Sequence, residues 1–270
     1  MAEPRAVTSV PQPEVIYERT KEEGERRLSR PLAEIVSTAL AAGFDIVAGI
    51  TAFTLVSAQL EPWTGRDAAH VFGSVAFGIG FVFLVVGRAE LFTENFLVPI
   101  AGLDHRRGAS WLGLARLWGL SPIFNVLGGT AITCFITAHG VLPEGTGAPM
   151  VELAVRLHAN HTLTLFLSAA FAGALITAMT WFVEGQESML TRIIVAWIAG
   201  AILALGGFDH VIVATLDLVY ALRFGADIPW DFVVGNFFLA TLGNIVGGIG
   251  LVTLNRLTQG KTGGRSPRSG

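Results

Sequence analysis

The sequence predicts an all-α polytopic membrane protein. It reads as six transmembrane helices in two inverted three-helix repeats, with the second and fifth helices broken. Three observations lead there. Of 270 residues, 52% are hydrophobic and only 14% charged, against about 25% charged in an average soluble domain. Six stretches are apolar over the roughly 20 residues that a helix needs to cross the hydrocarbon core. Two of these stretches are interrupted by polar breaks, Gly87-Arg88-Ala89-Glu90-Leu91-Phe92-Thr93-Glu94-Asn95 and Gly206-Gly207-Phe208-Asp209-His210. The glycines that open the breaks lie 119 residues apart, and so do two copies of Asn-x-x-Gly-Gly, at Asn125 and Asn244.

Taken in order, Met1 to Pro13 is polar and is expected to be disordered. Glu14 to Arg30 (EVIYERTKEEGERRLSR) has helical charge patterning and reads as a solvated leader helix at the cytoplasmic surface, with no function of its own. Segment 1–30 is therefore set apart from a channel domain over 31–257. Within that domain the spans are Leu32 to Leu60, Ala68 to Gly102 with its break, Trp111 to Ala138, Thr162 to Val183, Met189 to Leu222 with its break, and Phe232 to Leu254. Residues 258–270, rich in Gly, Ser and Arg towards their end, are expected to be a disordered cytoplasmic tail.

Orientation follows from the basic residues. Arg5, Arg19, Lys21, Arg26, Arg27 and Arg30 precede the first span, Arg106 and Arg107 follow the second, and Arg256, Lys261, Arg265 and Arg268 follow the last. The alternate loops hold Arg66, Arg156 and Arg223. Both termini are thus expected in the cytoplasm. Three spans per half is an odd number, so the halves must be inverted, as in transporters built on repeats.

Several functions are excluded. The single Cys134 allows no internal disulfide, and no basic stripe suggests nucleic acid. His158 and His161 have the spacing of a metal pair but no third ligand within reach. His210 has no Ser or Cys partner, so a hydrolase is not expected. The expectation is a non-enzyme without metal or cofactor, whose partners are the lipid bilayer and a small solute.

The breaks are where chemistry can sit. Lipid cannot satisfy their backbone groups, so they are tolerated only inside protein or beside a cavity, and paired breaks mark a transport site near the midplane. His210 opens the second half-helix beside Asp209, and Thr93 and Asn95 are read as occupying the matching position in the first. An ionisable residue inside a membrane is a functional candidate by default. For Arg88, Glu90, Glu94 and Asp209, bracing of the loops is preferred. Asn125 and Asn244 either satisfy freed backbone groups or only pack, and the glycines beside them are read as packing residues. Phe77 and Phe81, one turn apart before the first break, Leu91 and Phe92 within it, and Leu203 before the second read equally as packing or as pore constrictions.

At these residues the chain resembles the formate/nitrite transporter family. The resemblance is carried by GRAELFTENFL at 87–97, GGFDHVIV at 206–213 and NFFLATLGNIVGG at 236–248, and covers about residues 30–257. It implies an aquaporin-like six-helix subunit in a homopentamer of a bacterial inner membrane, with one pore per subunit for small monovalent anions of weak acids such as formate, nitrite or acetate. It also implies that His210 is the central pore histidine, with Thr93 as its hydrogen-bond partner. Leu91, Phe92 and Thr93 fall in the gating loop, and Phe77, Phe81 and Leu203 fall at constrictions.

The chain departs from the family pattern at four places. His161 stands where a vestibule lysine is common, Thr177 and Ala214 where asparagines are typical, and Asp209 where glutamate is usual. The function expected is weak-acid anion transport, in which His210 either takes part in proton transfer or stays neutral and only orients the substrate. The alternative is an aquaporin-like channel for a small neutral solute, against which stands the absence of any Asn-Pro-Ala pair at the breaks.

Overall fold

The computed structural model describes residues 11–262, so the expected disorder of 1–10 and 263–270 lies outside the described residues. It contains helices α1 (Pro13–Leu28), α2 (Leu32–Thr64), α3 (Arg66–Gly87), α4 (Val98–Ala101), α5 (Gly108–Ile136), α6 (Ala148–His158), α7 (Thr162–Glu184), α8 (Met189–Gly206), α9 (Val211–Arg223), α10 (Trp230–Ile245) and α11 (Leu254–Thr262). A 3₁₀ turn over Phe92–Phe96 joins α3 to α4, and a π-helical stretch over Val246–Thr253 joins α10 to α11. Six helical stretches are long and apolar enough to cross a membrane. Their outer faces carry exposed Phe72, Phe83, Leu112, Phe135, Leu167 and Phe238, the surface a lipid-facing bundle presents.

Each break stops one helix and starts another segment, with residues 89–95 and 209–210 buried. Arg88 caps the end of α3 and Gly207 the end of α8, and both residues take the left-handed conformation, with φ of 54° and 57°. After the first break the chain continues as the 3₁₀ turn and the single helical turn of α4. After the second it continues as the 13-residue α9.

The Asn-x-x-Gly-Gly copies brace these turns identically. Asn125 Nδ2 donates to the carbonyls of Ala39 and Glu90, both at 2.9 Å, while its Oδ1 accepts from the N–H of Phe92 at 2.9 Å. Asn244 Nδ2 donates to the carbonyls of Ala169 and Asp209 at 2.9 and 3.0 Å, while its Oδ1 accepts from the N–H of Val211 at 3.0 Å. One amide therefore ties the repeat's first helix to both sides of its break. The glycines permit the approach, since a Cβ on Gly128 would meet the backbone of Leu40 and one on Gly247 that of Ala170.

Three expectations are corrected. The amino-terminal helix is not a solvated leader. Arg27 and Arg30 are buried, and Gly24 lies so close to α4 that a Cβ would strike the Val98 carbonyl. A boundary at residue 30 thus divides parts that pack together. Residues 139–161, left without structure, contain α6, whose Met150 and Ala154 are buried against the bundle at helical spacing. The last helical stretch runs on through α11, so 258–262 are helical rather than disordered.

Two outcomes follow. Replacing Asn125 or Asn244 with Ala leaves one N–H and two carbonyls without that partner, at about 1–3 kcal/mol for each group left unpaired. Thermal unfolding in detergent should drop clearly for both variants, and an unchanged midpoint would mean that water replaces the amide. The second concerns Glu23 on α1. Burial raises its carboxyl, but hydrogen bonds from Arg26 and Arg27 and the charge of Arg27 outweigh it and hold the group at about 2. A depressed folded value gives stability that is complete above the ordinary 4.5 and lost as pH falls towards 2. Hydrogen exchange in α1 should stay slow at pH 5, quicken below about 4, and lose that dependence in Glu23→Gln.

Candidate functional site

The two breaks meet at one contact. Thr93 Oγ1 and His210 Nε2 lie 2.7 Å apart, and both residues are fully buried. His210 is the N-cap of α9, and its Nδ1 accepts the N–H of Val213 at 3.3 Å. A neutral imidazole carries one ring proton, so with Nδ1 accepting, that proton is on Nε2 and is donated to Thr93 Oγ1. The Thr93 hydroxyl hydrogen is left free to donate elsewhere.

The asparagine braces also set the equivalence of the repeats. They match Phe92 with Val211, so the counterpart of His210 is Leu91, and each is the N-cap of its segment. The expectation that Thr93 and Asn95 take the matching position is corrected by two and four residues. The 119-residue offset carried that signal in the sequence.

Two separate cavities approach the Thr93–His210 contact from opposite sides. The first lies under α6 and is lined by Phe77, Leu203, Asp209, Val213, Ala214 and Asp217, among others. The second opens beside α1 and is lined by Arg26, Arg27, Arg30, Arg88, Arg192 and Glu94, among others. Asp209 and Val213 flank His210 and line the first; Glu94 flanks Thr93 and lines the second. Along α3, Phe77 lines the first and Leu84 the second, with fully buried Phe81 between them. Leu91 and Phe92 are buried at the break, where the Phe92 ring packs edge-on against Phe96 at 5.0 Å.

The polar residues of the first break are held from both sides. Glu90 pairs with Arg30 and accepts from Asn95 Nδ2 at 3.0 Å. Arg30 also reaches Glu34 at 3.0 Å, and Arg27 lies 3.7 Å from Glu94. Trp118 Nε1 donates to the Asn95 carbonyl at 3.0 Å. The π-helical stretch adds Thr253, whose hydroxyl donates to the Phe96 carbonyl at 2.7 Å. At the second break, Asp209 N–H donates to Ser168 Oγ at 3.0 Å, and Asp209 Oδ1 accepts from Asn236 Nδ2 at 3.0 Å.

Two sequence candidates, His161 and Thr177, line neither cavity and make no hydrogen bond to the Thr93–His210 pair. His161 is exposed at the N-cap of α7 and lines neither. Thr177 is fully buried, close to where a Cβ on Gly248 would fall, and it is Thr180, one turn on, that lines the α1-side cavity. Asp217 was missed by sequence reasoning. An acid in the apolar run VIVATLDLVYAL is the signal that could have found it. Among the described residues no group of three metal-ligating side chains forms.

Comparison with known proteins agrees with this architecture. The family model described as "Formate/nitrite transporter" matches residues 14–257, α1 included. The chain is 28% identical over 238 residues to the inner membrane protein YfdC of Escherichia coli (strain K12), covering 86% of this chain and 74% of that one. It is 25% identical over 243 residues to the formate channel BtFdhC of Bacillus thuringiensis, covering 89% and 92%. Among solved structures, an FNT family ion channel superimposes with a TM-score of 0.74 at 19% identity, covering 89% of this chain and 96% of that one. A pentameric formate channel with formate bound gives 0.67 at 21% identity, covering 83% and 95%. With the family model spanning nearly all the described helices and the six-helix fold shared with those channels, the chain belongs to the formate/nitrite transporter family.

Proposed function

We propose that this membrane protein moves small monovalent weak acids such as formate, nitrite or acetate between the two cavities, past Thr93 and His210. The observation that carries the reading is the 2.7 Å contact between those residues where the breaks meet. An isolated carboxylate entering so apolar a passage would pay tens of kcal/mol, and its neutral acid far less. The free Thr93 hydroxyl hydrogen can donate to a permeant oxygen, and His210 Nε2–H holds that hydroxyl in place. The acid therefore crosses the Phe77, Phe81 and Leu203 region neutral, having met a polar group at its centre.

Arg88 supports capture of the anion on the α1 side. It is the one non-glycine residue with positive φ among those described, whereas its repeat counterpart is Gly207. A side chain in that conformation costs about 1–2 kcal/mol, and such strain persists where function uses it. The Arg88 guanidinium lines the α1-side cavity, beside Arg26, Arg27, Arg30 and Arg192.

We assign the protein to the inner membrane of a bacterium, as a homopentamer with a pore in each subunit and no enzymatic activity. Support comes from the family's channels, the pentameric structural neighbour and the inner-membrane relative. The clustering of Arg and Lys at both ends puts both termini in the cytoplasm, so the α1-side cavity faces inward.

Proteoliposome flux of formate, nitrite and acetate across pH tests the pathway. Thr93→Val, which keeps the shape and removes the donor, should lower flux about fivefold, as loss of a neutral hydrogen bond worth about 1 kcal/mol does. His210→Asn should change the pH dependence, and an unchanged profile for every acid would remove His210 from the mechanism. Arg88→Gly should melt at the same temperature or higher, since its backbone strain is relieved, while capturing anions less well from the α1 side. Equal capture would make the strained arginine structural.

A further inference from the structure

The two mouths differ in charge. The α6-side cavity has two carboxylates and no cationic side chain among its lining residues. Asp217 presents itself on the same face of α9 as Val213, Ala214 and Leu218, two turns beyond His210. Its Oδ1 is shielded from solvent and has no hydrogen-bond partner. Asp209 is 1% exposed; Asn236 satisfies its Oδ1, while its Oδ2 has no partner. An unpaired acid inside a membrane is costly enough to mark a pathway rather than a packing solution. The opposite mouth sets five arginines against Glu23, Glu94 and Glu184.

We propose that Asp209 and Asp217 make the α6-side mouth selective for the neutral acid and exclude its anion, while the arginine-lined mouth captures the anion. This rests on the weak-acid reading above and adds to it a chemical asymmetry between the two faces. Ionisable groups on the elements packed around α9 are Glu34, Asp45 and Glu61 on α2, Arg116 and Cys134 on α5, Glu152, Arg156 and His158 on α6, and Asp231 on α10. Asp209, His210, Tyr220 and Arg223 are on α9 or at its start. Of all these, only Asp209 lines the cavity with Asp217. Glu152 and Arg156 are committed elsewhere, to each other at 2.6 Å and, through Glu152, to Arg66 at 2.7 Å, a cluster that fastens α6 over the mouth.

Asp217 stands about 10 Å beyond His210 along the axis, at about 1.5 Å per residue. At that range and an effective dielectric constant of about 20, one acid of the pair, once ionised, lowers the occupancy of an anion about tenfold. The test is initial flux of labelled formate or acetate into right-side-out and inverted vesicles, with pH varied on the entry side. In the wild type, entry from the α6 side should follow the neutral acid and fall with its concentration as pH rises. Entry from the α1 side should follow the anion and stay flatter. Asp217→Asn should flatten the α6-side profile, raising entry at pH 8 about tenfold, and leave the α1-side profile unchanged.

Asp217→Met, apolar and so compatible with insertion, should relax the profile in the same way if the Asn variant does not assemble. A wild-type pH profile in both variants, or the same profile from both sides in the wild type, overturns the proposal while the weak-acid reading stands. Absence of weak-acid flux from either side in the wild type overturns that reading and the proposal together.

Discussion

A helix that stops halfway across a membrane leaves backbone N–H and carbonyl groups where no water can reach them, and the rest of this structure depends on how those groups are satisfied. Asn125 and Asn244 each supply one acceptor and two donor bonds in a single side chain, linking a half-helix start, the end of the break and a neighbouring helix. The bonds can form only because Gly128 and Gly247 let whole helices approach backbone to backbone. Polar satisfaction and close packing are therefore one solution here: the glycines create the contact, and the asparagines use it to hold the breaks open beside the cavities.

On this shared frame the two breaks are dressed differently. The first is tied to α1 through Arg27 and Glu94 and, through Glu90, to Arg30 just after that helix, with Asn95 and Trp118 completing the enclosure. The amino-terminal helix thus acts as a wall of the α1-side cavity, which is why it packs instead of extending into solvent. The second break is held by Ser168, Asn236 and Asn244 and by the Thr93–His210 contact, and one oxygen of Asp209 is left over. The same backbone turn, Arg88 in one repeat and Gly207 in the other, faces an arginine-rich cavity on one side and an acidic one on the other. Inverted repeats make a symmetric path, and side chains at equivalent positions give it a polarity.

Much of this was legible in the sequence. The paired breaks, the 119-residue offset and the basic residues gave the spans and their inversion, because the cost of charge and unpaired backbone in lipid leaves few alternatives. The motifs around Thr93 and His210 gave the meeting point of the breaks. What escaped was decided by amphipathic surfaces. Helix α6 is short and only partly apolar, so its Met150 and Ala154 face could be recognised only once there was a bundle for it to cover. The charged face of α1 resembled that of a solvated helix until Glu90 and Glu94 were found opposite it.

The sequence by itself determined that this chain crosses a membrane as two inverted halves with polar interruptions, because hydropathy and chain length act locally and survive without knowledge of contacts. Only the tertiary structure decided which polar groups meet. It gave the Thr93–His210 pair that the resemblance implied its 2.7 Å contact, left His161 and Thr177 off both cavity walls, and brought Asp217 to a mouth already holding Asp209. The reason is physical: hydrogen bonds and fields between side chains more than a hundred residues apart depend on distances of a few ångströms, and helix packing sets those distances.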